Sequence, residues 1–511
     1  MKKGSGTLQT IGFVILVTLL TKVFGVVREV LQAGVFGTNA AFDIYTTSYN
    51  FTILIFTTVA YAVCVAAVPI ISKQLTKSRE AAYRSAGNLI LVSVLVSALL
   101  AALLSGILHL APVAAWLGVD PADQGVLRQY LQLCVLTLPL IILIYLLVAV
   151  FQSMGHYALQ GSLSLPYNLF LIVFLVLFAR EGHVLEYVVV VCVAWFLQLA
   201  MTIPSAVGER FRLVPRLNFR DPDVALFGRT IVVTVFTTSI FLLCYLTDSQ
   251  SVTAFGGGSV SAVYYADKLF TPVSTTLIYS ISAVLFPKYN QEYATADESD
   301  YKRYVGSSVE NTLFVLLPLS VMFSVFAVPV VHVLFENGNF DAFSTEMTSQ
   351  VFAMYSLGMA GFCVLDFINK AYYTMHRILP PLVINGVVLA LNVALNAAVG
   401  QSIGRIGMTT AIALSAGGLL ALAAFFRETQ GAFRWGKLLK NVITAGGMGL
   451  VLSAFHLRFY DPAMGKLTVL AVYLLLGVAG AALYLAVSWV LGDRETVKLL
   501  AGHLRKRRDA K

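Results

Sequence analysis

The chain has 511 residues, of which 58% are hydrophobic and only 12% are charged. Soluble domains carry about 25% charged residues, so this composition excludes a soluble globular protein and leaves little length for a soluble domain. The net charge of +9 indicates membrane topology and contact with anionic lipids rather than nucleic-acid binding. The five cysteines lie singly in apolar segments, which indicates core packing rather than disulfides or a metal site.

Long apolar segments recur along the whole chain. Inside a bilayer every backbone polar group needs an internal partner, so these segments predict helices. Each helix needs about 20 mostly apolar residues to cross the hydrocarbon core. We therefore predict an all-α polytopic membrane protein with about fourteen transmembrane helices. The predicted spans are residues 8–34, 41–71, 85–111, 124–151, 158–179, 184–208, 224–248, 257–287, 304–335, 345–374, 379–401, 406–426, 438–457 and 467–492.

The distribution of basic residues supports this count, because the cytoplasmic loops of membrane proteins are enriched in lysine and arginine. With the N-terminus inside, the cytoplasmic segments hold 27 of the 35 basic residues, whereas the outer loops hold five. An even number of helices returns the chain to the side on which it started. The sequence therefore predicts that both termini lie in the cytoplasm.

The remaining three basic residues, Lys22, Arg28 and Lys268, lie inside predicted helices. A charge in a spanning helix costs about 2.5–3.5 kcal/mol on insertion scales, so such a residue usually faces a water-filled cavity or a charged substrate. If the chain folds as two similar halves, the three cations converge on one central site, as expected of an anion transporter. For Arg28, snorkelling to the nearby membrane interface is an alternative.

Two of these cations have an acidic neighbour in the sequence. Glu29 follows Arg28, so this pair partly neutralises itself. Asp267 precedes Lys268 in the same way. Adjacent residues of a helix point in directions about 100° apart, so we expect neither pair to cancel its charges fully.

Two further acids lie near helix ends, and the sequence leaves their roles open. Asp43, at the start of the second predicted helix, is either an interfacial acid or a partner for Arg28. Asp248, at the end of the seventh, is either an acid of the external loop or a cation ligand inside the cavity.

The longest polar connection in the first half of the chain, residues 209–223, predicts a linker between two lobes. We expect an N-terminal lobe at 1–210 with helices 1–6 and a C-terminal lobe at 211–430 with helices 7–12. Residues 431–511 hold helices 13–14 and a basic cytoplasmic tail. Transporters with paired repeats bind their substrates near the midplane between the repeats.

No motif of an enzyme is present. The sequence contains no phosphate-binding loop, HExxH or GxSxG pattern, and its seven histidines are dispersed. The glycine run at residues 256–258 lacks the lysine and serine or threonine of a phosphate-binding loop. We therefore expect neither catalysis nor a metal site.

Several stretches carry, in chain order, the pattern of one known family. Residues 22–29, KVFGVVRE, have the spacing of an RxxGxxRD motif, and residues 264–269, YYADKL, are similar to YYADRL. Residues 336–341, ENGNFD, and 355–373, with YSLG and KAYY, match two further stretches. Over roughly residues 8–430 the chain resembles the MurJ (MviN) family, flippases of the multidrug/oligosaccharidyl-lipid/polysaccharide exporter superfamily.

The resemblance implies both a function and an architecture. MurJ proteins move lipid II, the undecaprenyl-diphosphate-linked peptidoglycan precursor, from the inner to the outer leaflet by alternating access. The implied fold has two six-helix lobes around a central cavity, and a C-terminal helix pair that forms a groove for the polyprenyl tail. The implied setting is the bacterial cytoplasmic (inner) membrane, where the protein serves peptidoglycan biosynthesis and cell shape. We expect a monomer that contacts membrane lipids and the cell-wall synthesis machinery, driven by Na⁺ or the membrane potential, without a cofactor.

Carried over by motif, the diphosphate-binding role falls on Arg28 and Lys268, with Lys22 near the cytoplasmic side. A diphosphate that crosses lipid needs charge compensation, and two or three cations in a low-dielectric cavity supply it. Supporting acids would hold these cations when the cavity is empty. These acids are Glu29, Asp43 and Asp267. Asp248 is the candidate for the cation site that some members have.

The chain departs from the family pattern in its second helix. Members usually carry an arginine there, but no cation occurs between Arg28 and Lys73. Lys22 and Lys268 also replace arginines of the motifs. The cavity is therefore less positive than the resemblance implies. A flippase for another polyprenyl-diphosphate-linked oligosaccharide and a cation-coupled exporter of small molecules are the alternatives.

Overall fold

The computed structural model describes residues 3–109, 116–427, 429 and 431–493. These residues form helices joined by short connections, with no strand among them. A π-helical turn, Asn50–Leu54, joins α2 to α3 without a break. The helices up to residue 238 are α1 Lys3–Phe36, α2 Ala40–Tyr49, α3 Ile55–Leu75, α4 Arg79–Ile107, α5 Gln124–Val135, α6 Leu138–Ser153, α7 Tyr157–Ser162, α8 Leu165–Leu177, α9 Val184–Ala200, α10 Ile203–Gly208 and α11 Pro222–Thr238.

The later helices are on average longer. A short 3₁₀ turn, Val252–Phe255, follows the first of them. These helices are α12 Ile240–Ser251, α13 Ser259–Thr295, α14 Glu298–Val325, α15 Ala327–Leu334, α16 Ala342–Thr374, α17 Leu379–Val399, α18 Ile403–Phe426, α19 Trp435–Phe459 and α20 Lys466–Val490.

Polar side chains begin several of these helices. Asn39 accepts a hydrogen bond from the Phe42 backbone N–H at 2.9 Å and caps α2. Ser78 caps α4 and Asp297 caps α14 in the same way. Such caps satisfy backbone N–H groups that the first turn of a helix leaves free, so they fix where the helix begins.

The fourteen predicted spans fall on helices wherever the structure describes them, and the all-α polytopic fold is confirmed. Residues 110–111 of the third span lie outside the described residues. Ten helices or continuous helix runs in the described part of the chain are long and apolar enough to cross a membrane. The pair α11 and α12 makes an eleventh if it is counted as one span, and α8 is a shorter apolar helix. The first and eighth predicted spans fall on α1 and α13, which carry the three cations.

The fifth and seventh predicted spans each contain a break between two helices, and two further boundaries were wrong. The eighth span was expected to end at residue 287, but α13 continues to Thr295. Its last turns contain glutamine, glutamate and alanine, which favour helix even outside an apolar environment. The ninth span was expected to be continuous to residue 335, whereas α14 ends at Val325 and α15 begins at Ala327.

The chain forms two compact units, and each includes residues from both halves of the sequence. The first contains Met1–Ser239 and two short later segments, Thr253–Ser261 and Asn337–Asp341. The second unit contains Ile240–Val252, Ala262–Glu336 and Ala342–Lys511. The predicted domain boundaries at residues 210 and 430 stay predictions.

Within the first unit, the end of α1 contacts the segment Asn337–Asp341. Asn339 donates its backbone N–H to the Gly34 carbonyl at 2.9 Å. Gly37 and Gly338 have φ values of +60° and +59°, and a Cβ on either would lie 2.3 Å from a backbone oxygen across this contact. Glycine is therefore required at both positions, because any side chain would meet strain and a collision.

Within the second unit, α16 and α18 pack with their backbones in close contact. A Cβ on Gly361 would lie 2.5 Å from the Leu414 carbonyl oxygen, and one on Gly418 would lie 3.0 Å from the Gly361 carbonyl oxygen. Small residues that let helix backbones approach are typical of membrane helix pairs, where dispersion rather than the hydrophobic effect drives packing. This contact fixes two helices that contribute side chains to a buried polar cluster described below.

Candidate functional site

Arg28 lies in a mostly buried polar arrangement of the first unit. Its guanidinium is ion-paired with the adjacent Glu29 carboxylate, and the two side chains are only 13% and 7% exposed. The guanidinium also lies over the Tyr167 ring of α8, with its carbon 5.5 Å from the ring centroid. Gln32, one turn further along α1, donates to the second oxygen of Glu29 at 3.4 Å and accepts from the Tyr187 hydroxyl of α9. The cation is thus held between a carboxylate and an aromatic face.

Lys268 lies in a closely similar arrangement of the second unit. Its ammonium nitrogen is 2.9 Å from an oxygen of the adjacent Asp267, and the two side chains are 14% and 7% exposed. The same nitrogen lies 4.5 Å from the centroid of the Tyr264 ring, one turn back along α13. Thr271, one turn on, donates its hydroxyl to the other carboxylate oxygen at 2.5 Å.

The two arrangements share one chemical design. In each, an acid adjacent in sequence neutralises the cation, a tyrosine ring covers it, and a further polar side chain holds the acid in place. Both adjacent pairs are in direct contact, so their charges compensate each other more fully than the sequence indicated. A phosphate that reaches either cation can replace the carboxylate as its partner, because both anions accept charge-assisted hydrogen bonds.

Lys22 and Asp43 lie in environments that differ from those of Arg28 and Lys268. Lys22 is exposed on α1, whereas Arg28 on the same helix is partly buried. Asp43 forms no ion pair with any described residue. Its carboxylate accepts the backbone N–H groups of Gly258 and Ser261 at 2.7 Å each, and also the Ser261 hydroxyl at 2.7 Å. Of its two suggested roles, that of a partner for Arg28 is wrong in this structure, because the carboxylate caps the start of α13 instead.

Asp248 is fully buried at the centre of a polar cluster in the second unit. One carboxylate oxygen accepts from the Tyr355 hydroxyl at 2.9 Å and from the Thr410 hydroxyl. The other accepts from the side-chain amides of Asn392 at 3.2 Å and Asn396 at 2.9 Å. Helices α12, α16, α17 and α18 therefore meet at this carboxylate. Its position excludes the alternative of an acid in an external loop.

The donor set around Asp248 fits a small monovalent cation. It offers one carboxylate together with neutral hydroxyl and amide oxygens, which are the hard ligands that alkali and alkaline-earth ions take. The amide oxygens of Asn392 and Asn396 now accept from Thr247 and Thr409. If the amides turn, their N–H groups face these hydroxyls, which can accept instead of donate. Their oxygens then face the carboxylate, and a bound cation would replace the amide N–H groups that now donate to it. The buried Asp248 carboxylate carries one negative charge, which balances the single positive charge of a monovalent cation.

Sequence reasoning missed most of the residues around these groups. The asparagines of the Asp248 cluster lie four residues apart in an apolar helix, and this spacing was the available signal for a shared polar face. Tyr167 and Tyr187 gave no signal, because aromatic residues in apolar helices usually pack in the core. Lys302 was assigned to a cytoplasmic segment, yet it is 5% exposed and lies 3.1 Å from Glu298.

Comparisons with known proteins agree with these observations. The sequence model of a family described as lipid II flippase MurJ matches residues 32–491. The probable lipid II flippase MurJ of Vibrio cholerae is 23% identical, over 81% of this chain and 82% of its own length. That of Rhizobium tropici is 23% identical, over 96% of both chains. A Burkholderia cenocepacia protein named lipid II flippase MurJ is 24% identical, over 59% of this chain and 61% of its own length.

Solved structures show the same fold. A structure of lipid II flippase MurJ in an inward closed conformation matches with a TM-score of 0.77 at 19% identity, covering 94% of this chain and 98% of that one. An inward-facing MATE family transporter of the MOP superfamily matches with a TM-score of 0.65 at 10% identity, over 82% of this chain and 98% of that one. At these identities structural likeness shows the fold alone, whereas the family match extends over most of the sequence. The chain therefore belongs to the lipid II flippase MurJ family.

Proposed function

We propose that this chain is a flippase that moves lipid II from the inner to the outer leaflet of a bacterial cytoplasmic membrane by alternating access. The observation that carries the proposal is the family match over residues 32–491. It is supported by curated relatives that are named lipid II flippases and cover most of the chain. The protein is a transporter of the peptidoglycan precursor and not an enzyme.

The residues proposed to bind the diphosphate are Arg28 and Lys268, with Lys22 engaging the substrate near the cytoplasmic side. Arg28 and Lys268 are held by carboxylates that accept the same hydrogen bonds as a phosphate, so each is stabilised while no substrate is present. When a diphosphate binds, it competes with the carboxylate for the cation, so the cation has an anionic partner both before and after binding. Glu29 and Asp267 are the supporting acids in this scheme.

The alternative substrates are less well supported. The relatives from Vibrio cholerae, Burkholderia cenocepacia and Rhizobium tropici are all named lipid II flippases, and none of them is named for another lipid-linked oligosaccharide. The likeness to a MATE transporter concerns the fold and gives no support for drug export. We further propose that the protein is a monomer with both termini in the cytoplasm, close to the cell-wall synthesis machinery.

The proposal predicts that this chain supports growth of a bacterial cell depleted of its own lipid II flippase. Lipid II in the outer leaflet, measured by its accessibility to an externally added lipid II-degrading enzyme, is expected to return to the level before depletion. An empty vector is the control. A chain that reaches the membrane but restores neither growth nor outer-leaflet lipid II would contradict the proposed substrate.

We also propose that Asp248 forms a Na⁺ site with Asn392, Asn396 and Thr410. The proposal is supported by complete burial of the carboxylate and by the polar side chains of Asn392, Asn396 and Thr410, which contact it from two other helices. A bound cation would supply coupling to an ion gradient. The four residues would hold the ends of α12, α17 and α18 together, so binding of the cation is expected to stabilise the second unit.

Replacing K⁺ in the buffer by Na⁺, at constant ionic strength, is expected to raise the melting temperature of the purified protein. At a hundredfold excess over Kd, a ligand that binds only the folded state adds about 2.7 kcal/mol. Asp248→Asn is expected to abolish this response, because it removes the charge and keeps the shape. Asp366→Asn is the control, since Asp366 pairs with Lys370 at 2.7 Å outside the cluster. An equal Na⁺ response of Asp248→Asn and wild type would refute the site.

A further inference from the structure

A cavity of about 360 Å³ lies between the start of α19 and the end of α20, within the second unit. None of the residues that carry the proposed transport function lines it. Its polar lining includes six side chains at or beyond the ends of two apolar helices. These are Arg434, Lys437, Lys440, Asn441, Ser488 and Asp493.

Two of the three cations are partly compensated by acids. Arg434 donates from its guanidinium to the buried Glu310 carboxylate, with Nη2 at 2.6 Å and Nε at 2.8 Å. Lys437 lies 3.5 Å from an oxygen of Asp493 and 4.0 Å from Glu310. These contacts fix the positions of both cations around the cavity.

Lys440 is not compensated by an acid. Its ammonium contacts the Leu491 carbonyl oxygen at 3.5 Å, and no carboxylate of the described residues lies within ion-pair distance of it. Three cations therefore share two carboxylates at this cavity. The start of α19 adds to the positive potential, because the N-terminus of a helix carries a partial positive charge.

Two buried polar side chains also face the cavity. Asn441 is 3% exposed and lines it. Ser488, also 3% exposed, has a hydroxyl without a hydrogen-bond partner among the described residues. Buried polar groups are nearly always hydrogen-bonded, so the unpaired hydroxyl of Ser488 indicates a missing ligand.

We propose that this cavity binds the phosphate group of an anionic phospholipid. Phosphate oxygens accept from an ammonium, an amide and a hydroxyl, which are the groups that Lys440, Asn441 and Ser488 provide. The ends of membrane-spanning helices lie at the level of lipid headgroups, and basic pockets between such helix ends bind anionic headgroups. The acyl chains would lie against the exposed apolar surfaces of α19 and α20, for example Leu439 and Val490.

Two substitutions test the cavity without touching the transport residues. Lys440→Gln removes the uncompensated charge. Gly436→Asp places a negative charge at the cavity, and a Cβ at this position meets no atom within 4 Å, so the change does not disturb packing. Gly436→Asn is the matched neutral control. Melting temperatures without added lipid are expected to be the same in all variants.

Lipid binding to the purified full-length protein is measured by native mass spectrometry, with phosphatidylglycerol and phosphatidylcholine titrated separately. One interfacial cation contributes about 1 kcal/mol to anionic-lipid binding, so Lys440→Gln and Gly436→Asp are each expected to weaken phosphatidylglycerol binding about fivefold. Gly436→Asn is expected to bind as wild type, and phosphatidylcholine binding is expected to be equal in all four proteins.

Unchanged phosphatidylglycerol binding in both charge variants would overturn the proposal. A third titration with inorganic phosphate separates the two sources of the same chemistry. If inorganic phosphate binds wild type as tightly as phosphatidylglycerol and weakens in the same variants, the occupant is free phosphate and the lipid assignment is wrong. Preference for phosphatidylglycerol over both other probes supports a lipid site.

Discussion

Arg28→Gln is expected to abolish growth of a flippase-depleted cell although the variant reaches the membrane in normal amount. Loss of a charge-assisted hydrogen bond costs about 1.5–3 kcal/mol, which corresponds to roughly 10- to 150-fold in affinity. The negative charge of the diphosphate would then be less well compensated while the diphosphate is surrounded by low-dielectric protein and lipid. Growth curves show the effect, and immunoblots of membrane fractions show that the protein is present.

Loss of growth alone does not separate substrate binding from folding. Arg28→Gln leaves the Glu29 carboxylate buried without its cation, and breaking a buried pair in this way costs about 3–5 kcal/mol of stability. The double variant Arg28→Gln/Glu29→Gln removes both charges and hence this penalty. We expect it to melt near the wild-type temperature and to remain inactive. Growth of the double variant at the wild-type rate would show that Arg28 serves only to compensate Glu29.

Two further variants complete this test. Arg28→Lys keeps the charge but loses the planar donor fork, so partial growth is expected. Lys77→Gln removes an exposed cation between α3 and α4 and is expected to grow like wild type. If Lys77→Gln were also inactive, growth would report total charge rather than a local site.

The helical fold could be predicted because the signal for a membrane helix is carried by local composition. Each predicted span falls on helical residues, since about 20 apolar residues in lipid have no other way to satisfy their backbone. Several spans, the fifth, seventh and ninth among them, nevertheless cover two helices each. Precise ends were less predictable. The helix α13 continues past the apolar region to Thr295 because glutamate and glutamine sustain a helix in water as well. The separation of α14 from α15 at Phe326 had no composition signal.

The candidate sites could be predicted only in part. Arg28, Lys268 and Asp248 stood out because ionisable groups in apolar helices are costly and therefore rare. The acids beside Arg28 and Lys268 were also evident from the sequence, but the partners of Asp248 were not, since they lie between 107 and 162 residues away. Hydroxyl, amide and tyrosine side chains are common in membrane helices, and only the tertiary fold selects the few that meet a carboxylate.

The second predicted helix is another region where the sequence alone could not predict the polar side chains of the fold. The sequence lacks the family arginine between Arg28 and Lys73, but it does not indicate which groups take its place. The structure has the π-helical turn Asn50–Leu54 in this region, with Ser48 and Asn50 buried. π-Helical turns are rare and are often found at functional sites. Neutral polar groups thus occupy the region where a charge was expected, so the remaining cations contribute a larger share of any anion binding.

Lys268→Gln is expected to weaken binding of purified lipid II by at least about tenfold, because one charge-assisted hydrogen bond to the diphosphate is lost. Lys268→Arg is expected to bind at least as tightly as wild type. The guanidinium offers two parallel donors to a phosphate, and this substitution restores the residue that the family motif carries here. The dissociation constants are measured with detergent-solubilised protein, which excludes effects of expression and of partner proteins.

The adjacent acid provides the decisive control for this second site. Lys268 lies 2.9 Å from Asp267, so a diphosphate must compete with this carboxylate for the ammonium. Asp267→Asn alone is therefore expected to tighten lipid II binding, provided that Thr271 still holds the side chain through its hydroxyl. The double variant Asp267→Asn/Lys268→Gln is expected to bind as weakly as Lys268→Gln. Binding of the double variant at the wild-type level would show that Lys268 only balances Asp267, and that the diphosphate is bound by other residues.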